Sequence, residues 1–280
     1  MTDIRKAFVT GYPVKHSRSP LIHNHWLKLH GIEGSYEKVE IEPSHFSDLI
    51  KRIRNGEFIG GNVTIPHKEA AYLSADVLTD RARRLKAVNT LWMQDGKLWG
   101  DNTDIIGFTA NLDQALGKDW HQDITHALVV GAGGASRAVV AGLLSYEGMQ
   151  VTIINRTEEK ARSLAEFNPD RISVAPWSDM ARETERAGVV VNTTSLGMVG
   201  YPPLDIDFSR CGSQTIVTDI VYIPLITPML KQAQALSLRT VDGLGMLLHQ
   251  AVPGFSKWFG ITPQVTPELR EIILRDIGEM

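Results

Sequence analysis

The sequence is poor in cysteine, since Cys211 is the only one among 280 residues. A single cysteine cannot form a disulfide within the chain, and it cannot build a cysteine-based metal site. We therefore predict no metal site, and the near absence of thiols fits a reducing compartment.

The chain also lacks any apolar run approaching the roughly 20 residues that cross a membrane. Its first ten residues, MTDIRKAFVT, contain no apolar stretch of the signal-peptide kind, so we expect a cytoplasmic protein with no membrane partner. The 29 basic and 32 acidic residues give a net charge of −3, which argues against nucleic acid as a partner. We expect a small-molecule partner and a monomer or homodimer.

Short apolar runs alternate with amphipathic stretches along the chain, a pattern typical of α/β units with parallel strands. A length of 280 residues favours two domains. In the first half we predict strands at 7–11, 36–41 and 61–65, helices at 20–30 and 44–53, and a β-hairpin over 91–99 around Asp95-Gly96. In the second half we predict strands at 127–130, 151–155, 189–192, 215–219 and 239–242, helices at 137–146, 158–167, 228–236 and 245–259, and a surface crossing at 116–125.

A glycine-rich turn follows the first strand of the second half, with the residues Gly131, Ala132, Gly133, Gly134 and Ala135 before Ser136. Glycines permit a tight turn, and they let backbone N–H groups approach a pyrophosphate at the positive end of the next helix. The strand–turn–helix context favours dinucleotide binding over the alternative of a simple tight turn.

The next predicted strand ends at Asn155, where an NAD site usually has a carboxylate for the ribose 2′-hydroxyl. Arg156 follows, and a guanidinium can bind a 2′-phosphate through a bidentate contact. Lys160 lies one helical turn further on, and Thr157 is placed to cap the helix and offer a hydroxyl. The pattern favours NADP over NAD, while a capped helix with a solvated arginine is the alternative.

Two polar clusters in the first half are candidates for chemistry. Asn62, Thr64, Pro66 and Lys68 alternate at the end of a predicted strand, so they share one face if the chain stays extended. The stretch 101–104, Asp-Asn-Thr-Asp, follows the hairpin and could simply cap the next helix. No tyrosine is followed four residues later by lysine, so the Tyr-Lys proton relay of short-chain reductases is absent and another group must move a proton.

Nine motifs run in order along the chain: Gly11-Tyr12-Pro13 with His16-Ser17-Arg18-Ser19-Pro20 and His23-Asn24; Asn62-Val63-Thr64-Ile65-Pro66-His67-Lys68; Ala87-Val88-Asn89-Thr90; Asp101-Asn102-Thr103-Asp104 with Gly107-Phe108; Gly131 to Ala138; Asn155-Arg156-Thr157; Asn192-Thr193-Thr194-Ser195 with Gly197-Met198; Val221-Tyr222 with Pro224; and Gly243-Leu244-Gly245-Met246-Leu247 ending at Gln250. Together they resemble the shikimate dehydrogenase family. Two positions depart from that family's pattern: Ile105 stands where glycine is usual, and Lys160 stands where arginine is common.

The resemblance implies a role for each candidate residue. Lys68 and Asp104 would be the catalytic pair, with Lys68 handling the proton at the carbonyl oxygen. The substrate would be bound at its carboxylate by Ser17, Ser19 and Tyr222, and at its ring hydroxyls and reacting oxygen by Thr64, Asn89, Asp104 and Gln250. Gly243 would join the cofactor residues. Three of these have structural alternatives: Ser19 before Pro20 as a helix N-cap, Asn89 as a turn residue, and Gln250 as one polar position on a helix.

The resemblance also implies the architecture and the reaction. We expect an N-terminal α/β substrate domain, residues 1–104 completed by 243–280, and a doubly wound Rossmann-type NADP domain, residues 105–242, with the active site in the cleft between them. The reaction would be the reversible NADPH-dependent reduction of 3-dehydroshikimate to shikimate in aromatic amino-acid biosynthesis. The alternatives are a quinate/shikimate dehydrogenase that uses NAD and a non-catalytic NADP-binding regulatory module, which would be expected to have lost the lysine or the aspartate.

Overall fold

The protein is described by a computed structural model that covers residues 5–279. Residues 1–4 lie outside the described residues, and they form part of the N-terminal stretch MTDIRKAFVT. Met280 also lies outside the described residues. The chain divides into two compact units, a first unit of residues up to Thr103 with 250–278 and a second unit of residues 104–249. The two-domain α/β prediction is confirmed, while the functional limits 1–104, 105–242 and 243–280 stay predictions.

The strands of the described chain are β1 (Arg5–Gly11), β2 (Gly34–Glu40), β3 (Gly60–Val63), β4 (Val77–Leu78), β5 (Thr90–Gln94), β6 (Lys97–Asp101), β7 (His126–Val130), β8 (Gln150–Ile154), β9 (Ile172–Ala175), β10 (Val189–Asn192), β11 (Ile216–Asp219) and β12 (Arg239–Val241). The helices are α1 (Ser19–Leu29), α2 (Phe46–Arg54), α3 (Lys68–Ser74), α4 (Asp80–Leu85), α5 (Asp104–Leu116), α6 (Gly134–Leu143), α7 (Glu158–Ala165), α8 (Met180–Arg186), α9 (Pro228–Ala235), α10 (Leu244–Phe259) and α11 (Pro267–Asp276). None of these helices is both long enough and apolar enough to cross a bilayer.

The first unit is built on a mixed six-stranded sheet in the order β2-β1-β3-β5-β6-β4. Strand β1 runs parallel to β2 and β3, whereas β5 runs antiparallel to β3 and β6. The predicted hairpin is confirmed: Asp95 and Gly96 join β5 to β6 with φ of 51° and 71°, the two positive values that a type I′ turn requires.

Aromatic side chains from α1 and α10 cover one region of this unit. Trp26, Phe255 and Trp258 are at most 4% exposed, and the Trp258 indole Nε1 donates to the Leu91 carbonyl at 2.8 Å. Gly60 makes this approach possible, because a Cβ there would lie 2.4 Å from Trp258 Nε1. The C-terminal half of α10 therefore packs directly against the middle of the first sheet.

The second unit contains an all-parallel six-stranded sheet in the order β12-β11-β10-β7-β8-β9. Strand β7 is apolar on both faces, because Ala127 and Val129 join one hydrophobic cluster and Leu128 and Val130 join another. Helices on both sides explain this continuous apolar run. The predicted doubly wound fold is confirmed, and its strand order reverses between β7 and β10, where such folds bind ligands.

Two local expectations are wrong. Strand β3 ends at Val63 and the His67 N–H turns back to the Thr64 carbonyl at 2.9 Å, so residues 62–68 do not form one extended face. Ser19 is not an N-cap, because that position belongs to Arg18 and Ser19 is the first helical residue. The stretch 116–125 lies mostly at the surface as predicted, with the exception of Trp120, which is 7% exposed and donates from Nε1 to Asp113 Oδ1 at 3.0 Å.

Candidate active site

Four chain segments of the first unit meet at one edge of its sheet, where β1, β3 and β6 end and β5 begins. The Thr64 N–H donates to the Thr10 carbonyl at 2.8 Å, and the Val63 N–H donates to the Asn89 carbonyl at 2.8 Å. The Asn89 N–H in turn donates to the Asp101 carbonyl at 3.0 Å. These backbone bonds bring Thr64 and Asn89, distant in sequence, to the same edge.

Lys68 belongs to this edge as well. It is the first residue of α3, and its carbonyl accepts a hydrogen bond from the Val88 N–H at 2.9 Å, one residue before Asn89. The half-buried Lys68 side chain therefore starts beside the segment that carries Asn89.

The loop after β1 carries the two candidate serines to the same edge. The Ser17 hydroxyl accepts a hydrogen bond from the Ser19 N–H at 3.3 Å, and Ser19 is 5% exposed. Gly11 lets this loop approach the end of β3, because a Cβ at position 11 would lie 2.5 Å from Thr64 Cγ2. The backbone thus brings five candidate residues to one edge of the sheet: Ser17, Ser19, Thr64, Lys68 and Asn89.

The two aspartates of the 101–104 stretch have different surroundings. The Asp101 carboxylate accepts hydrogen bonds from Arg81 Nη2 at 2.6 Å and from Thr79 Oγ1 at 2.5 Å, and Asp101 is 5% exposed. Asp101 is therefore engaged in holding α4 to β6. Asp104 is the half-buried first residue of α5 and of the second unit.

The glycine-rich turn of the second unit fits a dinucleotide. Gly131 has φ of +114°, and a Cβ there would lie 2.5 Å from Thr193 Oγ1, so only glycine fits. Nothing lies within 4 Å of a Cβ built on Gly133 or Gly134. The space above the first turn of α6 is therefore open to a pyrophosphate, which the positive end of the helix attracts.

Asn155 connects this turn to the loop after β8. Its Oδ1 accepts a hydrogen bond from the Ala132 N–H at 3.1 Å, and its Nδ2 donates to the Thr157 carbonyl at 2.7 Å. Thr157 occupies the N-cap position of α7 as predicted, but its hydroxyl makes no capping hydrogen bond. Both ends of the Asn155 amide are thus used to hold the turn and the loop together.

Two exposed cations follow on the same segment. Arg156 lies in the loop after β8 and Lys160 lies in the first part of α7. Glu158, an acid that would oppose a phosphate here, forms an ion pair with Arg162. Arg156 and Lys160 are thus two exposed cations that follow the loop held by Asn155.

Tyr222 lies on the loop after β11, and a buried carboxylate that sequence reasoning missed holds this loop. Asp219 is 1% exposed; its Oδ1 accepts from the Val221 N–H at 2.9 Å, and its Oδ2 accepts from Thr227 Oγ1 at 2.8 Å. Burial raises the pKa of Asp219 to about 6, although these hydrogen bonds oppose the rise. Gly243 approaches the same loop, because a Cβ there would lie 2.4 Å from the Ile220 carbonyl oxygen.

A hydroxyl pair under the glycine turn was also missed. Ser136 Oγ lies 2.7 Å from Thr193 Oγ1 and accepts from the Gly133 N–H at 2.9 Å. Ser136 follows the glycine-rich turn and Thr193 directly follows β10. A polar residue at such a position was therefore the sequence signal that could have identified the pair. Within residues 5–279 no cluster of three or more histidine, cysteine, aspartate or glutamate side chains could hold a metal ion.

Models of known protein families match most of the chain. Residues 9–91 match the shikimate dehydrogenase substrate binding domain, residues 115–246 match the shikimate / quinate 5-dehydrogenase family, and residues 243–267 match the shikimate 5′-dehydrogenase C-terminal domain.

Individual proteins give the same result. The NADP(+) shikimate dehydrogenase of Brucella abortus strain S19 is 52% identical over 278 residues, which are 98% of this chain and 96% of the relative. The shikimate 5-dehydrogenase of Thermus thermophilus, solved with NADP(H) and shikimate, superposes with a TM-score of 0.83 at 33% identity over 98% of this chain and 99% of that one. The quinate dehydrogenase of Corynebacterium glutamicum, solved with NAD, gives a TM-score of 0.89 at 28% identity over 97% and 99%.

Proposed function

The chain belongs to the family of NADP-dependent shikimate dehydrogenases, and from that premise we propose how its own residues carry out the reduction of 3-dehydroshikimate to shikimate. NADPH, when bound, supplies the hydride to the ketone carbon. Negative charge then grows on the carbonyl oxygen, and Lys68 stabilises it and donates the proton. General acid catalysis of this kind contributes about 10²–10⁴-fold to the rate.

Asp104 is the partner of Lys68 in this proposal and also binds the substrate. In the reduction, the ammonium form of Lys68 is the form that donates the proton. Ile105, which stands where the family usually has glycine, is half-buried in the first turn of α5 next to Asp104.

The remaining substrate contacts are divided by chemistry. Ser17 and Ser19 donate hydroxyl hydrogen bonds to the carboxylate, with Tyr222 beside them. Thr64, Asn89 and Gln250 bind the ring hydroxyls. The observation that carries this assignment is the convergence of Ser17, Ser19, Thr64, Lys68 and Asn89 at one sheet edge through backbone hydrogen bonds and close glycine contact.

The cofactor contacts come from the second unit. The backbone of Gly131 to Ala135 binds the pyrophosphate, and Asn155 keeps that turn in place. Arg156 binds the 2′-phosphate with a bidentate contact, Lys160 adds a point charge, and Thr157 offers a hydroxyl. Gly243 admits the end of the cofactor near the Tyr222 loop.

Steady-state kinetics with four pairs, shikimate or quinate with NADP or NAD, test the proposal. We expect the highest kcat/KM for shikimate with NADP, because Arg156 follows a strand end that has no carboxylate. A higher kcat/KM for quinate with NAD would establish the alternative that the similarity to a quinate dehydrogenase raises. No turnover with any pair would indicate a regulatory module. A cytoplasmic location and a monomer or homodimer stay predictions.

A further inference from the structure

The Asn89 side chain has a fixed orientation inside the first unit. Asn89 is 3% exposed, and its Oδ1 accepts hydrogen bonds from the Thr103 N–H at 2.8 Å and from the Thr90 hydroxyl at 2.9 Å. An amide oxygen that accepts two buried donors cannot exchange places with its NH₂ group without bringing donors face to face. The amide nitrogen of Asn89 is therefore turned away from Thr103.

The Thr103 hydroxyl has a different acceptor. Its Oγ1 lies 2.8 Å from the Gln250 carbonyl and 3.1 Å from Asn89 Oδ1. A hydroxyl has only one proton to donate, and we assign it to the closer Gln250 carbonyl. Thr103 thus contacts two chain segments at once, Asn89 through its backbone N–H and α10 through its side chain.

The network continues inward from Asn89 without charge. Asn62 Nδ2 lies 3.2 Å from both the Asn89 carbonyl and Thr90 Oγ1, and Asn62 Oδ1 accepts from the Tyr36 hydroxyl at 2.6 Å. These hydrogen bonds link the four residues in series. A buried network of this kind rigidifies the groups it holds.

We propose that Thr103 is a positioning residue that sets Asn89 and Gln250 relative to each other, so that the enzyme recognises the pattern of hydroxyls on the substrate ring. The inference rests on the proposed roles of Asn89 and Gln250 as ring-hydroxyl partners. Thr103 is 0% exposed, so it acts through these two residues and does not touch the substrate.

Thr103→Val tests this proposal, with Thr103→Ser as the matched control. Valine keeps the branched shape and the backbone N–H but removes the hydroxyl, and with it the hydrogen bond to the Gln250 carbonyl. We expect the KM for shikimate to rise about ten-fold, with the KM for NADP and the kcat each changed less than about two-fold. Serine restores the hydroxyl and should return the KM for shikimate to near the wild-type value.

A substrate series separates positioning from a general loss of packing. Shikimate analogues that lack one of the two unreactive ring hydroxyls should bind the wild type more weakly than shikimate does. In Thr103→Val the penalty for at least one missing hydroxyl should shrink, because its protein partner is already displaced. An undiminished penalty for both analogues would overturn the proposal.

The controls distinguish the two levels of inference. Absence of wild-type turnover with shikimate and NADP would remove the proposed function itself. Wild-type turnover together with an unchanged KM for shikimate in Thr103→Val would remove only the role of Thr103. Thermal unfolding monitors the fold of each variant; if Thr103→Val does not fold, Thr103→Ala is measured against the same criteria.

Discussion

The two units present their functional groups by different means. In the first unit, side chains at the sheet edge are fixed by a buried, uncharged network, in which Asn62, Asn89 and Thr103 are at most 5% exposed. In the second unit, the open space above α6 is bounded by glycine backbone, and the cations Arg156 and Lys160 are exposed. One unit is built to read the shape of a small polyol, and the other to attract phosphate charge.

The units also differ in the titratable groups that they bury. His23 in the first unit is 0% exposed, and burial lowers its pKa to about 3, so the ring is neutral near pH 7. Asp219 in the second unit is 1% exposed with a pKa raised to about 6, so it is charged near pH 7. The two units therefore bury different titratable groups. The first unit buries an imidazole that is neutral near pH 7, and the second unit buries a carboxylate that is charged near pH 7 and holds the Tyr222 loop.

The largest effect is expected when the reacting group of the first unit, the Lys68 ammonium, is removed. Lys68→Ala should lower kcat by about 10²–10⁴-fold because it removes the general acid, while NADP affinity measured by fluorescence titration stays unchanged. Lys51→Ala is the control, since Lys51 is an exposed lysine of the same unit paired with Asp48. Near-normal turnover of Lys68→Ala would remove Lys68 from the mechanism.

Removal of a cation from the second unit should change the KM for the cofactor by a smaller factor. Arg156→Ala should raise the KM for NADP by roughly 10–100-fold, because a charge-assisted hydrogen bond to phosphate contributes about 1.5–3 kcal/mol, and it should leave the KM for NAD nearly unchanged. Arg210→Ala serves as control, because Arg210 is an exposed arginine of the same unit that pairs with Glu185. Equal losses for NADP and NAD would show that Arg156 does not read the 2′-phosphate.

The smallest effect concerns the buried charge of Asp219. The pKa of Asp219 is higher in the folded chain than in the unfolded chain. Above pH 6 the carboxylate is ionised in both states, and its burial then lowers the free energy of unfolding by the full amount. This loss of stability disappears as the pH falls toward 4, because the carboxyl group becomes protonated. Asp219→Asn should therefore raise the free energy of unfolding at pH 8 relative to the wild type, by up to the order of 2 kcal/mol, and the gain should shrink at pH 4.

Asp207→Asn provides a control of opposite sign. Hydrogen bonds from Ser209 lower the pKa of this exposed carboxyl, so its ionised form favours folding above its ordinary pKa and this contribution is lost in acid. Urea unfolding at several pH values measures both variants. A gain for Asp219→Asn that does not vary with pH would contradict the assignment of a raised pKa.

Much of the fold could be predicted from the sequence, because the second unit repeats apolar strand and amphipathic helix at regular spacing. The predicted strand 189–192 coincides with β10, and the hairpin was predicted from Asp95-Gly96 alone. The short elements α3, β4 and α4 were missed, since segments of two to seven residues contain too few turns or alternations to show a clear apolar pattern. Helix α11 was missed although Thr266, its N-cap, accepts from the Leu269 N–H.

Less of the site could be predicted. Motifs identified the residues, but they could not show that Asp101 is engaged by Arg81 or that Asn155 uses both ends of its amide within the protein. The alternation of polar residues over 62–68 also suggested one extended face, but a tight turn interrupts this segment. These features depend on hydrogen bonds between segments that are distant in sequence, and the spacing of residues within one segment does not reveal such bonds.

The bond from Trp258 to the Leu91 carbonyl has a consequence for biosynthesis on the ribosome. The first unit includes residues 250–278, so its aromatic packing cannot close when its first 103 residues emerge. All 146 residues of the contiguous stretch Asp104–His249 are translated before Trp258. The first sheet therefore keeps the apolar surface that α10 covers exposed until the later segment is synthesised, and surface of this kind is prone to aggregation during synthesis.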